Sequence, residues 1–289
     1  MDRRFISTRH LAEKIRAIEG RYTLGAPSSR ACIEAVDTQV IPTGWGGIDE
    51  VLNGGVPIGL HEWFSGGGGK EERAWAPPLC ILVHLAWQAV ECARAARWMV
   101  WIGRACHPYA RVLVRGKGKR DQGTGNRRLL EHSLFVAPRD GAARLWAIDL
   151  ALRSEAVGLV IADGSGFDKA ATQRLQLLAR SMEKWVLAAR PMRERDVLSA
   201  AQTRWLVRTV EQENRGAGES RVSRLLSGSP VLPRWSVELL RCKGLRPVGE
   251  LNWLLEWNRA EGAVHLSAPL AGVAGTAEVS ERPRQQRTA

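Results

Sequence analysis

Leu60-His61-Glu62-Trp63-Phe64-Ser65-Gly66-Gly67-Gly68-Gly69-Lys70 is the stretch on which the fold turns. Five residues with strand propensity run into four glycines and a lysine. The segment from Pro78 to Arg97 then repeats apolar residues at helical spacing through Leu79, Leu82, Val83, Ala86, Val90 and Ala93. A strand, a glycine turn and a helix in that order open a βαβ unit. The same order is the context in which backbone N–H groups at a helix start can cradle phosphates.

The pattern repeats downstream. Trp98-Met99-Val100-Trp101-Ile102 is a continuous apolar run, as a parallel strand buried on both faces requires. Leu134 to Ala137 is a further strand. Ala142 to Ser154 is a helix, with Leu145, Ile148, Ala151 and Leu152 facing inward. Val157 to Asp163 is a buried strand that ends in an acid, Lys169 to Lys184 a helix, and Trp185 to Arg190 another strand. Strands alternating with helices of this length predict an α/β fold with a mainly parallel sheet and helices on both faces. After Thr203 the helices stop. Arg204–Val210, Arg234–Arg241, Trp253–Trp257 and Val264–Leu266 read as short strands of an antiparallel C-terminal extension.

Upstream, Thr8 to Gly20 reads as a short helix, with Leu11, Ile15 and Ile18 on one face. Its size obliges that face to pack on the main domain or on a partner. The expected organisation is an N-terminal helix over 1–20, a linker over 21–40, a core over 41–270 and a disordered tail over 271–289. Thr43 to Gly59 is rich in glycine and reads as turns.

Composition narrows the function. The 289 residues are 45% apolar and 25% charged, so the chain can bury a full core. No apolar run reaches the length of a membrane span, and Met1-Asp2-Arg3-Arg4-Phe5 lacks the apolar core of a secretory signal. The five cysteines are scattered and never spaced as CxxC, which suits a reducing cytoplasm and excludes a zinc finger. The net charge of +12 points to a polyanionic partner, and nucleic acid is the commonest. The twelve tryptophans sit mostly in strand-like runs and are assigned to the core rather than to base stacking.

The charge is concentrated. Residues 104–128 hold eight cations against Asp121 alone. Arg115, Lys117, Lys119, Arg120, Arg127 and Arg128, interleaved with glycines, are the candidate DNA contacts, since such a segment can follow a phosphate backbone. A merely solvated insertion would carry the same charge.

The glycine run is a degenerate phosphate loop. Gly69-Lys70 supplies the GK pair, but the place five residues before Gly69 is Phe64 rather than glycine. Position 71 is Glu, where a hydroxyl should hold magnesium. Gly66, Gly67, Gly68, Gly69 and Lys70, with the strand-terminal Asp163, form the candidate nucleotide-binding set. Asp163 lies near the glycine run only if their strands are neighbours, and a strand-terminal Asp serves equally well as a turn cap. No metal site, Ser/His/Asp set or carboxylate pair is legible.

Thr43-Gly44-Trp45-Gly46-Gly47-Ile48-Asp49, continuing through Gly54-Gly55-Val56-Pro57-Ile58-Gly59, resembles the segment leading into the phosphate loop of RecA-type recombinases. Leu134 to Asp163 resembles the RecA stretch that runs through a helix to its metal-binding strand. The likeness covers roughly residues 40–270. The short N-terminal helix, Leu145 to Ser154, and Trp235 to Gly244 bring the chain closer to the ImuA family, RecA-like accessory proteins of damage-induced mutagenesis.

That resemblance implies a RecA-like core. It also implies partners: DNA, a Y-family-like polymerase homologue without catalysis, an error-prone C-family polymerase and RecA itself. The catalytic glutamate of RecA falls where this chain has Gly103-Arg104-Ala105-Cys106-His107-Pro108, with no carboxylate to orient a water. The expectation is therefore a non-hydrolysing cytoplasmic adaptor in translesion synthesis, with no cofactor, no membrane and no catalytic residue. An ATP-dependent RecA-family enzyme using Lys70 and Asp163 is the alternative, and a cell-division inhibitor resembling SulA ranks third.

Overall fold

In a computed structural model, the chain is described over residues 10–17, 40–66, 75–91, 97–114, 128–210, 233–245, 251–258 and 263–269. Helix α1 covers 10–17. Strand β1 (Val40–Ile41), helix α2 (Gly46–Val51) and strand β2 (Val56–Pro57) precede β3 (Gly59–Ser65). Then come α3 (Leu79–Glu91), β4 (Trp98–Ile102), α4 (Arg128–Glu131), β5 (Ser133–Val136), α5 (Gly141–Arg153) and β6 (Val157–Asp163). The chain continues through α6 (Lys169–Ser181), β7 (Trp185–Pro191), β8 (Thr203–Val210), β9 (Arg234–Cys242), β10 (Asn252–Asn258) and β11 (Ala263–Pro269).

Nine strands form one mixed sheet in the order β5-β4-β6-β7-β3-β8-β9-β10-β11. The pairs from β5 to β8 are all parallel, and those from β8 to β11 antiparallel. The antiparallel extension thus begins one strand later than the sequence suggests. β8 runs parallel to β3, with Trp63 opposite Trp205, and only its outer edge pairs antiparallel with β9. No α-helix is needed to reach that register, because residues 192–202 carry the chain back from Pro191, opposite Ser65, to Thr203, opposite His61.

Each parallel strand divides its side chains between two cores, as period-2 alternation demands. Trp63, Met99, Trp101, Trp185, Leu187 and Trp205 meet α3 on one face. Val100, Ile102, Val160, Val186 and Ala188 meet α1, α5 and α6 on the other. Trp45, Trp63, Trp87, Trp101, Trp185 and Trp205 are fully buried, so they are core residues. Leu11 and Ile15 of α1 are buried in the second core. The apolar face of the N-terminal helix is therefore occupied by its own domain.

Three boundaries depart from the sequence reading. The stretch from Thr43 to Gly59 is an ordered clasp, not a run of turns. Asp49 accepts hydrogen bonds from Thr43 N and Thr43 Oγ1 at 2.8 Å and from Gly44 N at 3.1 Å, which bends the chain into α2. At Gly55 a Cβ would lie 2.3 Å from the Ile41 carbonyl oxygen, so only glycine lets β1 and β2 close. Trp45 then stacks on His84 at 4.6 Å and donates through Nε1 to Val264 O at 2.9 Å, tying the clasp to α3 and β11.

α6 stops at Ser181, because Glu183 takes a left-handed φ of 52° and Lys184 turns inward to donate to Leu152 O and Ser154 O. Arg97 lies outside α3, in a bend, and donates to Glu155 O at 2.9 Å. α5 and α6 are capped by Asp140 and Asp168, which accept from Ala143 N and Ala171 N. Among the described residues no helix is long and apolar enough to cross a membrane.

Candidate functional site

In an open parallel sheet, ligands collect beyond the carboxyl ends of the strands, at the point where connections diverge. Here β4 leads outward to β5, whereas β6 leads back towards β7. The crevice therefore opens between the ends of β4 and β6, at Gly103 and Asp163. Gly103 has a φ of +96°, and a Cβ there would sit 2.7 Å from the Asp163 Cβ. The two strand ends close on each other.

Asp163 is fully engaged in this crevice. Its Oδ2 accepts from Arg144 Nη1 at 2.9 Å and its Oδ1 from Ser165 N at 2.9 Å. Arg144 also donates to Ser165 O and lies 5.5 Å from the centre of the Phe167 ring. The acid caps its own turn and pairs with a cation from α5. Cys106 lies beside them, and its thiol is pushed well above the ordinary value. Burial is the main cause and the Asp163 charge adds to it, against an opposing effect of Arg144. A thiol held protonated in this way is not a nucleophile. Among the described residues no three His, Cys, Asp or Glu side chains are grouped to hold a metal.

The glycine segment starts at the next-but-one strand. β7 separates β3 from β6, so the strand carrying Asp163 is not a neighbour of the one leading to the glycines. Gly66 follows β3 and packs near Met192 Sδ. Gly67, Gly68, Gly69 and Lys70 lie outside the described residues. The chain is described again at Trp75, and Ser65 Oγ donates to Ala76 O at 2.6 Å, bringing the two ends of the segment together. α3 begins at Leu79, behind Pro77-Pro78 and nine positions beyond Lys70. Proline carries no N–H, so the approach to this helix offers fewer amide donors than a glycine-led start would. Of the basic candidates, Arg115, Lys117, Lys119, Arg120 and Arg127 lie outside the described residues, and Arg128 opens α4.

A buried charge cluster beneath the same edge is absent from the sequence reading. Glu62, in the middle of β3, has no exposure and Arg190 has 1%. Arg190 Nη1 donates to Glu62 Oε1 at 2.5 Å, and Arg204 Nε donates to Glu62 Oε2 at 2.8 Å. Arg190 reaches on to Glu194 Oε2 at 2.9 Å and Phe167 O at 2.7 Å, while Glu194 accepts from Gly166 N at 3.1 Å. Phe64 lies under both guanidiniums, at 5.7 and 4.7 Å. The cluster joins β3, β7 and β8 to the turn after β6. The available signal was Glu62 itself, a charge inside a strand buried on both faces, which needs a partner.

These features define an α/β protein on a large mixed sheet, with an arginine-locked acid at its switch point. No family model matches the chain. Protein ImuA of Caulobacter vibrioides strain NA1000 / CB15N is 29% identical over 245 residues, which are 79% of this chain and 87% of that protein. Protein ImuA of strain ATCC 19089 / CIP 103742 / CB 15 matches equally. Over most of its length the chain is thus similar to Protein ImuA.

Proposed function

We propose that the protein is a non-hydrolysing, RecA-like adaptor of damage-induced mutagenesis that binds DNA and holds mutagenic polymerases. The likeness to Protein ImuA over 79% of the chain supports the process. The observation that carries the absence of hydrolysis is the Asp163–Arg144 ion pair at 2.9 Å. A carboxylate that must receive magnesium needs a free oxygen face. Here one oxygen is taken by a guanidinium and the other by a backbone amide. Magnesium would have to compete with the guanidinium at Oδ2 or with the amide at Oδ1. The late start of α3, the glutamates at 71 and 72, and the absence of a carboxylate from Gly103 to Val114 support the same reading.

Charge supports the DNA contact. The segment holding Arg115, Lys117, Lys119, Arg120, Arg127 and Arg128 is the densest run of cations in a chain of net charge +12. The polymerase partners are those that the resemblance to the ImuA family implies: a Y-family-like homologue and an error-prone C-family enzyme, joined at the cytoplasmic nucleoid. The edges of the sheet and the chain beyond Pro269 are where they would attach.

An ATPase assay with Lys70→Ala as control tests the reading. Turnover at background in both proteins is expected. Hydrolysis that depends on Lys70 would replace the adaptor by an ATP-dependent enzyme. In the same preparation, DNA affinity should fall with salt. Exchanging Lys117, Lys119, Arg120, Arg127 and Arg128 for Ala should flatten the log–log slope on duplex DNA by about 0.9 for each phosphate no longer neutralised; an unchanged slope would remove this segment from the interface.

A further inference from the structure

Helices α5 and α6 pack side by side, and an open groove of about 670 Å³ runs between them. Asp149 and Arg153 line it from α5, and Arg174, Leu177 and Leu178 from α6. The buried Asp149 accepts from Arg153 Nε at 2.7 Å and from Arg174 Nη2 at 2.8 Å. Burial acts to raise the pKa of Asp149, but the hydrogen bonds from both arginines outweigh it and hold the carboxyl below its ordinary value. One carboxylate thus fixes two guanidiniums, and the trio keeps a net positive charge. Both arginine side chains are more than half exposed, at 57% and 59%. Arg153 spends only Nε on Asp149, and Arg174 spends Nε and Nη2, so each retains N–H donors. Apolar surface stands beside these cations. Leu177 is 62% exposed, and Trp146, one turn before Asp149 on the same stripe of α5, is 48% exposed. α6 carries Lys169, Arg174 and Arg180 and no acid.

We propose that this groove docks an acidic amphipathic segment of a partner protein, with its apolar side chains against Leu177 and Trp146 and its carboxylates on Arg153 and Arg174. Scattered apolar residues on a surface need no explanation. Here an apolar anchor and two fixed guanidiniums share one groove, and those are the features by which amphipathic helices and acidic motifs are recognised. Asp149 holds the arginines before the partner arrives, which reduces the ordering cost of binding. Charge decides between the occupants. A phosphate backbone would pair with the arginines but would lay further charge over Leu177 and Trp146. A second copy meeting this one about a two-fold axis would bring the same arginines face to face. An acidic segment with apolar side chains satisfies both parts of the groove. The surface is separate from the sheet edges and from the chain beyond Pro269, and the inference does not depend on the adaptor reading.

The experiment is a fluorescence-anisotropy titration of the full chain with a labelled peptide of about 16 residues, carrying leucine at i, i+3, i+4 and i+7 and glutamate elsewhere. Poly-glutamate of the same length and oligo-dT are the comparison polyanions. The amphipathic peptide should bind at least about tenfold more tightly than poly-glutamate, and less tightly as salt rises. Leu177→Ser and Arg174→Ala should each weaken its binding about tenfold. Leu177 is exposed, so Leu177→Ser should keep the parent's urea midpoint, which separates lost docking from lost fold. Equal affinity for poly-glutamate, or unchanged peptide affinity in either variant, overturns the proposal. Oligo-dT binding that falls in both variants as far as peptide binding does would assign the groove to nucleic acid instead. A dimer in light scattering that Leu177→Ser dissolves would assign it to a second copy. A parent that binds no peptide also overturns the proposal; if Glu34→Gln/Asp37→Asn protein then binds it, residues 33–37 of this chain are the occupant.

Discussion

Glu62 and Arg190, 128 positions apart in the chain, meet at 2.5 Å with both side chains sealed from water. Glu62 also receives Arg204, and Arg190 also reaches Glu194, so charges of both signs alternate through the interior. Removing one member of such a cluster leaves its partners buried and uncompensated, which costs more than the intact pair contributes.

Glu62→Gln is expected to lower the stability of the folded chain by about 3–5 kcal/mol, a large part of the total for a single domain. The urea midpoint at neutral pH measures it. Glu194→Gln should cost less, because Glu194 keeps contact with solvent and Arg190 retains Glu62. Equal effects of the two substitutions, or a loss below about 1 kcal/mol for Glu62→Gln, would contradict the assigned hierarchy.

His61 sets an acid limit. Trp205 Nε1 donates to Thr203 Oγ1 at 2.7 Å. The same hydroxyl lies 2.7 Å from His61 Nδ1, and His61 Nε2 lies 2.7 Å from Pro57 O. A carbonyl only accepts, so Nε2 carries the proton and Nδ1 accepts from the threonine. The ring is thus satisfied as a neutral group, and burial lowers its pKa from 6.5 to about 4. Above 6.5 both folded and unfolded chains are neutral at this position. Between 6.5 and 4 the unfolded chain binds a proton that the folded one refuses, so stability falls as pH falls. Between pH 7 and pH 5 this amounts to about 2 kcal/mol, from the linkage between pKa and stability. His61→Gln should remove that part of the pH dependence; a variant whose stability keeps the parent's slope would place the effect elsewhere.

How far the sequence discloses this fold depends on whether the signal is local. β4, β6 and β7 are legible because a strand buried on both faces must be continuously apolar. The clasp from Thr43 to Gly59 is not legible as structure, since its order comes from Asp49 accepting three hydrogen bonds and from Trp45 reaching Val264. Asp163 is correctly placed at a strand end. Its partner Arg144 lies 19 residues earlier on a helix whose pattern reports only its apolar face. The switch crevice is likewise hidden, because it follows from strand order, and periodicity carries no information on which strands are neighbours. The Glu62 cluster leaves a trace in the sequence as a misplaced charge, but the identity of its partners needs the registers of β3 with β7 and β8.

Gly103 carries two constraints at once. Its φ of +96° disfavours any L side chain, and a Cβ would lie 2.7 Å from the Cβ of Asp163. Gly103→Ala is expected to cost about 2–4 kcal/mol, combining backbone strain with overpacking. Thermal unfolding followed by tryptophan fluorescence should register it. A neutral result would mean that β4 and β6 can part at this edge without penalty.

Arg144 and Asp163 give the most direct comparison between a locked acid and one ready for a metal. Both side chains are about 15% exposed, so their attraction is only partly screened. Arg144→Ala should cost about 1–3 kcal/mol, because it leaves the carboxylate without its cation. Asp163→Asn should cost a similar amount, and the double variant less than the sum, with a coupling of about 1–2 kcal/mol. The cycle can be run with and without magnesium. If the ion pair occupies the acid, millimolar magnesium should leave the parent's unfolding midpoint unchanged, and any gain should emerge only once Arg144 is removed. A magnesium-dependent rise in the parent that disappears in Asp163→Asn would show that the metal displaces the guanidinium, and the non-hydrolysing assignment would lose its structural basis.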